Sequence, residues 1–161
     1  MSVTSVNKDP EALTMTLTAS FDAPVERVWQ VWADPRLLER WWGPPTYPAT
    51  VSDHDLTPGG RVAYVMTGPE GDRHAGWWRV LSVEPPHHLA FEDGFADDAG
   101  EPNPDLPVTR VRVVLSERAD GGTTMTIETA FATIEAMEQL LAMGVEEGMR
   151  SALGQVDELL R

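Results

Sequence analysis

Apolar and polar residues alternate near the start of the chain, which predicts a strand followed by two short helices. Between Ala12 and Phe21 the two classes change at nearly every position, as in a strand with one buried face. From Pro24 onward the apolar residues recur every three or four positions, which indicates one face of a helix. Asp34 can cap a second short helix that begins at Pro35.

Six further strand-length runs follow, and turn residues rather than helices separate them, which is typical of antiparallel hairpins. The predicted strands cover residues 49–54, 60–67, 73–84, 87–93, 107–118 and 122–131. Turn chemistry at Pro58-Gly59-Gly60 and Asp120-Gly121-Gly122 supports this division. Six acidic residues and no basic one lie between Glu92 and Asp105, so we expect an exposed, mobile loop there.

The last segment, Thr133 to Arg161, has the apolar spacing of one long amphipathic helix. Gly144 and Gly148 interrupt it, and each glycine costs about 0.8–1.0 kcal/mol relative to alanine. We therefore expect either close backbone approach at the glycines or space left for another molecule. The whole chain, with its core from about residue 12 to residue 160, is predicted to be a single α+β domain. Its seven-stranded, curved antiparallel sheet wraps around the C-terminal helix.

A single helix is only about 10–12 Å wide with its side chains, too narrow to fill the concave side of so large a sheet. The remaining space is either packed by large side chains or left as a pocket. Strand parity and helix spacing give the candidate pocket residues. Each is also an ordinary core residue in the alternative interpretation, so the hypothesis depends on the whole set: Trp41, Trp42, Tyr64, Met66, Trp78, Phe91, Val111, Val113, Met125, Ile127, Met137, Leu141 and Val145.

Composition excludes several functional classes. The formal charge of −14 repels nucleic acid and anionic membrane surfaces. No cysteine is present, which rules out disulfides, thiolate metal sites and a cysteine nucleophile. No signal peptide and no spanning segment of about 18 apolar residues are visible, so we expect a cytoplasmic protein.

Histidine spacing gives no metal site. His87 and His88 would face opposite sides of a strand, and His74 is isolated. His54 is the best acid–base candidate, because its strand borders the predicted pocket, but no catalytic set is assigned and no cofactor is predicted.

Several short segments follow one another along nearly the whole chain in an order typical of one family. They are Asp22-Ala23-Pro24-Val25-Glu26-Arg27-Val28-Trp29, Trp41-Trp42-Gly43-Pro44, Pro58-Gly59-Gly60-Arg61, Val83-Glu84-Pro85-Pro86 followed by Leu89-Ala90-Phe91, Gly122-Thr123-Thr124-Met125-Thr126-Ile127 and Gly144-Val145-Glu146-Glu147-Gly148-Met149. In this order they resemble the bacterial single-domain branch similar to the C-terminal domain of the activator of heat-shock-protein-90 ATPase, within the START-like (SRPBCC) superfamily. The resemblance implies the helix-grip fold and an internal apolar cavity.

Three functions are compatible with these sequence features. The leading hypothesis is non-catalytic binding of a small hydrophobic or aromatic molecule between the sheet and the C-terminal helix. The second is a cyclase, aromatase or hydrolase, which would need a polar group inside the cavity. The third is a chaperone-interaction module with exposed apolar surface at Trp41, Trp42 or Trp77. An exposed tryptophan or an edge strand would also allow a homodimer.

Overall fold

The computed structural model describes residues 3–160, which form one eight-stranded antiparallel sheet and five helical segments. The strands are β1 (Val3–Asp9), β2 (Thr14–Phe21), β3 (Ala49–His54), β4 (Arg61–Thr67), β5 (Arg73–Glu84), β6 (His88–Ala96), β7 (Thr109–Glu117) and β8 (Thr123–Ala130). The helices are α1 (Val25–Ala33), α2 (Pro35–Trp41), α3 (Ile134–Ala142), α4 (Val145–Leu153) and α5 (Val156–Leu159). Across the sheet the order is β1-β2-β8-β7-β6-β5-β4-β3.

The α+β class and the two short helices after the first predicted strand are confirmed. Asp34 ends α1 and caps α2, because its side chain accepts a hydrogen bond from the backbone N–H of Arg36 at 2.9 Å. Helix α2 then covers the edge strand β3. Arg36 donates to the carbonyl of Val51, and Glu39 accepts from the Val51 N–H, both at 2.9 Å. These contacts occupy backbone groups that an edge strand otherwise leaves free.

The predicted number of seven strands is wrong by one, because Val3–Asp9 pairs with β2 as an additional edge strand. The segment is mostly polar, and Val6 packs only partly against the core. An edge strand held mainly by backbone pairing shows little of the hydrophobic alternation on which strand prediction depends.

The C-terminal segment is not one long helix. Gly144 has a φ of 89°, in the left-handed region that glycine adopts without steric cost, and it separates α3 from α4. A second interruption at Gly154 and Gln155 separates α4 from α5. Because the apolar spacing continues through both interruptions, hydrophobic periodicity alone predicts a single helix.

Strand β6 extends to Ala96, beyond its predicted end at residue 93. Glu92 and Asp93, which the predicted strand and the expected acidic loop both included, belong to the strand and are only partly exposed, so the acidic segment is not entirely a loop. Its remaining acidic residues, Asp97, Asp98, Glu101 and Asp105, are exposed as expected.

Aromatic side chains fill much of the space beneath the sheet. Trp78 and Phe91 stack with their ring centroids 3.9 Å apart, and Trp32 meets Trp41 edge-on at 4.8 Å. Trp42 contacts Trp78 at 4.9 Å and extends this cluster toward the C-terminal helices. The large predicted pocket is thus reduced to the space that the cluster leaves open.

Candidate functional site

A cleft opens between the sheet and the junction of α3 and α4. It has an inner part of about 80 Å³ and an outer part of about 280 Å³, which share several wall residues. We call it the helix–sheet cleft, and its walls consist of Trp42, Pro44, Tyr64, Met66, Asp93, Gly94, Phe95, Pro107, Thr109, Val111, Thr129, Leu140, Met143, Gly144, Val145, Gly148 and Met149.

Gly148 leaves part of the cleft open. A Cβ atom added at this position would meet no atom within 4 Å, so close packing does not explain the glycine. Of the two explanations expected from the sequence, unfilled space therefore applies to Gly148. Gly144 is explained differently, because its backbone has the left-handed conformation that ends one helix and begins the next.

Asp93 places a carboxyl group on the wall of this largely apolar cleft. Its Oδ1 accepts a hydrogen bond from the Tyr64 hydroxyl at 2.9 Å, while Oδ2 has no hydrogen-bond partner among the described residues. Tyr64 reaches Asp93 by lying across Gly76 on the intervening strand. A Cβ at Gly76 would overlap the Tyr64 ring and hydroxyl, so this glycine makes the contact sterically possible.

The surroundings of Asp93 change its acidity. Burial raises the pKa of Asp93 from 3.8 to about 7, and the hydrogen bond from Tyr64 opposes that rise. Burial, followed by the charge of Asp93, raises the Tyr64 pKa well above 10.0, while the indole N–H of nearby Trp42 acts in the opposite direction. Near neutral pH, Asp93 therefore exchanges between acid and carboxylate while Tyr64 keeps its proton.

Five of the thirteen residues expected to line a pocket border the cleft: Trp42, Tyr64, Met66, Val111 and Val145. Val145 lies on α4 and the others lie on the sheet or directly after α2. The other eight pack in or against the hydrophobic core: Trp41, Trp78, Phe91, Val113, Met125, Ile127, Met137 and Leu141. The open space is therefore nearer to the α3–α4 junction than strand parity and helix spacing suggested.

The tryptophans have different roles. Trp41 is fully buried, and its indole N–H donates to the carbonyl of Val31 at 2.8 Å. Trp42 borders the cleft with 6% of its surface exposed, and its N–H has no hydrogen-bond partner among the residues that the structure describes. Trp77 covers Gly94 on the opposite side of the sheet from the core, with its N–H donating to the carbonyl of Phe95 at 3.0 Å. The expectation that Trp41 or Trp42 forms an exposed interaction surface is wrong, because both rings are buried.

Sequence reasoning missed Asp93, although a signal for it exists. Asp93 lies two residues after Phe91 and four after Leu89, so alternation places all three on the inner face of β6. The predicted strand over residues 87–93 includes Asp93, but the density of acidic residues from Glu92 onward assigned it to an exposed loop as well.

The histidines have no evident role in the cleft. His54 lies with its Nε2 3.0 Å from the carbonyl oxygen of Trp32, and this contact connects β3 to α1. His74 and His87 contact the exposed carboxylates of Asp72 and Glu117. Within residues 3–160, no three acidic or histidine side chains lie close enough together to hold a metal ion.

The comparisons with known proteins agree with this architecture. The family profile described as Activator of Hsp90 ATPase homolog 1-like protein matches residues 22–161. The chain belongs to this family. Family membership is consistent with the START-like fold inferred from the sequence, and it agrees with the antiparallel sheet and C-terminal helical segment observed here.

Solved structures of bacterial proteins resemble nearly the whole chain. Protein Ms6760 from Mycobacterium smegmatis is 53% identical, with a TM-score of 0.91, over 99% of this chain and 97% of that one. A protein from Arthrobacter aurescens is 52% identical, with a TM-score of 0.94, over 99% and 92% of the two chains. The AHSA1 protein from Silicibacter pomeroyi, 23% identical with a TM-score of 0.73 over 91% and 96%, shares the fold.

None of the curated proteins compared with the chain matches it. In the part of the chain from residue 3 to residue 160, no helix is long and apolar enough to cross a membrane.

Proposed function

We propose that this protein binds a small, largely apolar molecule in the helix–sheet cleft. The observation that carries the proposal is the unfilled space beside Gly148, which largely apolar walls border and which ends at the aromatic core. Ligand pockets commonly have volumes of roughly 300–1,000 Å³. The outer part, at about 280 Å³, suits a molecule with one or two fused rings.

The walls favour an adaptable apolar contact. Met66, Met143 and Met149 border the outer part, and flexible thioether side chains can adjust to irregular ligands. Met143 stands at the α3–α4 junction with 51% of its surface exposed. A ligand that enters beside Met143 would cover this apolar surface, which supports the junction as the entrance.

Native mass spectrometry of freshly purified protein tests the proposal, with Gly148→Ala and Gly148→Leu as a matched pair. Both substitutions favour the helix by about 0.8 kcal/mol, but only leucine fills much of the cleft. We expect an adduct that dissociates on denaturation in the wild-type protein and Gly148→Ala, and its loss in Gly148→Leu. An adduct that Gly148→Leu retains in full would contradict binding in this cleft.

Acid–base catalysis in the same cleft is a second candidate, supported by the pKa of Asp93 near 7. Nitrobenzisoxazole tests this directly, because its ring opens when a base removes the ring C–H proton. Catalysis predicts an absorbance increase whose rate rises with pH through about 7 and disappears in Asp93→Asn. An identical rate in the wild-type protein and Asp93→Asn would rule out Asp93 as the base for this probe.

A further inference from the structure

The helix–sheet cleft contains an acidic side chain, and no described basic side chain borders the cleft to balance it. Asp93 is the only charged residue among the described side chains that border it, and Tyr64 is the only other titratable one. Within residues 5–160, whose side chains the structure describes, no lysine, arginine or histidine borders either part. The whole chain carries a formal charge of −14, which further disfavours an anionic ligand.

In the part of the chain with described side chains, the neighbouring elements supply no cation to Asp93. Arg79 on β5 pairs with Glu92 at 3.2 Å, and Arg110 on β7 is exposed. Strand alternation directs Arg79, Glu92 and Arg110 to the face of the sheet opposite Asp93. On α4, Glu146 pairs with Lys8 at 2.6 Å and with Arg150 at 3.3 Å, while Glu147 is exposed. A positive group that meets Asp93 would therefore have to come with the ligand.

The hydrogen-bond geometry leaves one carboxylate oxygen available. Tyr64 donates to Oδ1, and its position across Gly76 holds it there. Oδ2 has no partner among residues 5–160, the part with described side chains. Aromatic rings of Trp42, Tyr64 and Phe95 border the same outer space, and such rings attract cations to their faces.

We propose that the ligand is a protonated amine whose nitrogen pairs with Oδ2 of Asp93 and whose apolar body occupies the outer part of the helix–sheet cleft. This inference rests on the proposed function above and specifies its ligand class. A neutral ligand leaves the partly buried carboxylate without a counter-charge, whereas an ammonium group provides one and adds charge-assisted hydrogen bonds. A carboxylate ligand would place two like charges together, which is unfavourable.

Three probes of nearly equal size separate charge from shape: naphthylmethylamine, naphthylmethanol and naphthoate. Their affinities would be measured by calorimetry at about pH 8, where Asp93 is mostly ionised and the amine is still protonated. We expect the amine to bind about tenfold more tightly than the alcohol, and naphthoate to bind most weakly. An amine that binds no more tightly than the alcohol would overturn the inference and leave the proposed function intact.

Asp93→Asn is the decisive variant, because asparagine keeps the shape and can still accept the hydrogen bond from Tyr64. We expect this variant to bind the amine and the alcohol equally. A preference for the amine that survives in Asp93→Asn would overturn the inference, since it would then reflect the general negative charge of the protein. If none of the probes binds the wild type, both proposals fail. Both also fail if Gly148→Leu binds each of the three probes as tightly as the wild type does.

Discussion

The Tyr64 hydroxyl on β4 donates to the Asp93 carboxyl on β6 at 2.9 Å, although strand β5 lies between the two residues. Gly76 on β5 permits this long reach, because a side chain there would occupy the position of the Tyr64 ring. Three neighbouring strands thus position one ionisable group at the wall of the cleft. Both the acidity of Asp93 and its orientation depend on this arrangement.

Tyr64→Phe should raise the pKa of Asp93 above about 7, because the lost hydrogen bond is the contact that lowers it. The carboxyl carbon chemical shift of Asp93, followed by NMR over a pH titration, measures this. Tyr47→Phe is the matched control, since Tyr47 donates to exposed Asp72 instead. An unchanged titration of Asp93 in Tyr64→Phe would contradict the hydrogen bond.

Gly76→Ala should also raise the pKa of Asp93, although the Tyr64 hydroxyl is still present. The added methyl group displaces the Tyr64 ring, so the contact with Asp93 lengthens or breaks. We expect the titration of Asp93 to move in the direction seen for Tyr64→Phe. Gly71→Ala provides a comparison at a glycine where an added Cβ meets nothing within 4 Å, although its positive φ strains the backbone locally.

Asp93 should make the protein less stable as pH rises. Its pKa is higher in the folded protein than in the unfolded chain, so its stabilising contribution is complete below about pH 4 and is lost as pH rises through about 7. Asp93→Asn should remove this loss, which is at most about 4 kcal/mol if each of the roughly three pKa units is worth about 1.4 kcal/mol. Chemical denaturation across this pH range measures the difference between the two proteins.

Asp120→Asn is the control with the opposite sign. Arg118 lowers the pKa of Asp120, so Asp120 stabilises the fold above its unfolded pKa and the benefit is lost as pH falls. The free energy of unfolding of the wild type, relative to that of Asp120→Asn, should therefore increase as pH rises. Relative to Asp93→Asn, it should decrease. A difference that changes in the same direction for both variants would show that the pH dependence does not come from Asp93.

The sequence predicted the sheet well because strand alternation is strong where one face is buried. Met125 and Ile127 show this on β8, where both lie in the core at alternating positions. The edge strand β1 was missed because backbone pairing leaves little hydrophobic signal. The break at Gly144 was missed because a change of helix axis does not alter the apolar spacing.

The site was harder to predict than the fold. Parity indicates that Met66 and Met125 both face inward, but it does not show whether a neighbouring ring fills the space beside each. Met125 contacts the indole N–H of Trp32 in the core, with 3.3 Å between sulfur and nitrogen, whereas Met66 borders the cleft. Asp93 belonged to the inward series of β6, and only the surrounding acidic residues argued against it.

The two methionines should respond differently to truncation. Met125→Ala should reduce the free energy of unfolding by about 2–5 kcal/mol, because it leaves a cavity in the packed core. Met66→Ala should cost less, since the side chain is partly exposed, but it should weaken binding of naphthylmethanol. Denaturant titration and calorimetry measure both effects. A larger stability loss in Met66→Ala than in Met125→Ala would contradict these placements.

Lys8 on β1 donates a hydrogen bond from Nζ to Oε1 of Glu146 on α4, with 2.6 Å between the two atoms. Lys8→Met should raise the pKa of Glu146, because the hydrogen bond from Lys8 is the largest cause of its lowered value. Amide hydrogen exchange should become faster in α4 and remain unchanged in α1. Equal acceleration in the two helices would indicate general destabilisation instead of a local connection.

Mapping a bound probe by NMR tests the central claim most directly. Backbone and methyl resonances would be followed while naphthylmethanol is added to the wild-type protein. Binding in the helix–sheet cleft predicts the largest saturable changes at Val111, Val145 and Met149, with much smaller changes at Val113 and Ile127 in the core. Changes centred on the opposite face of the sheet around Trp77, or no saturable change at all, would contradict the account.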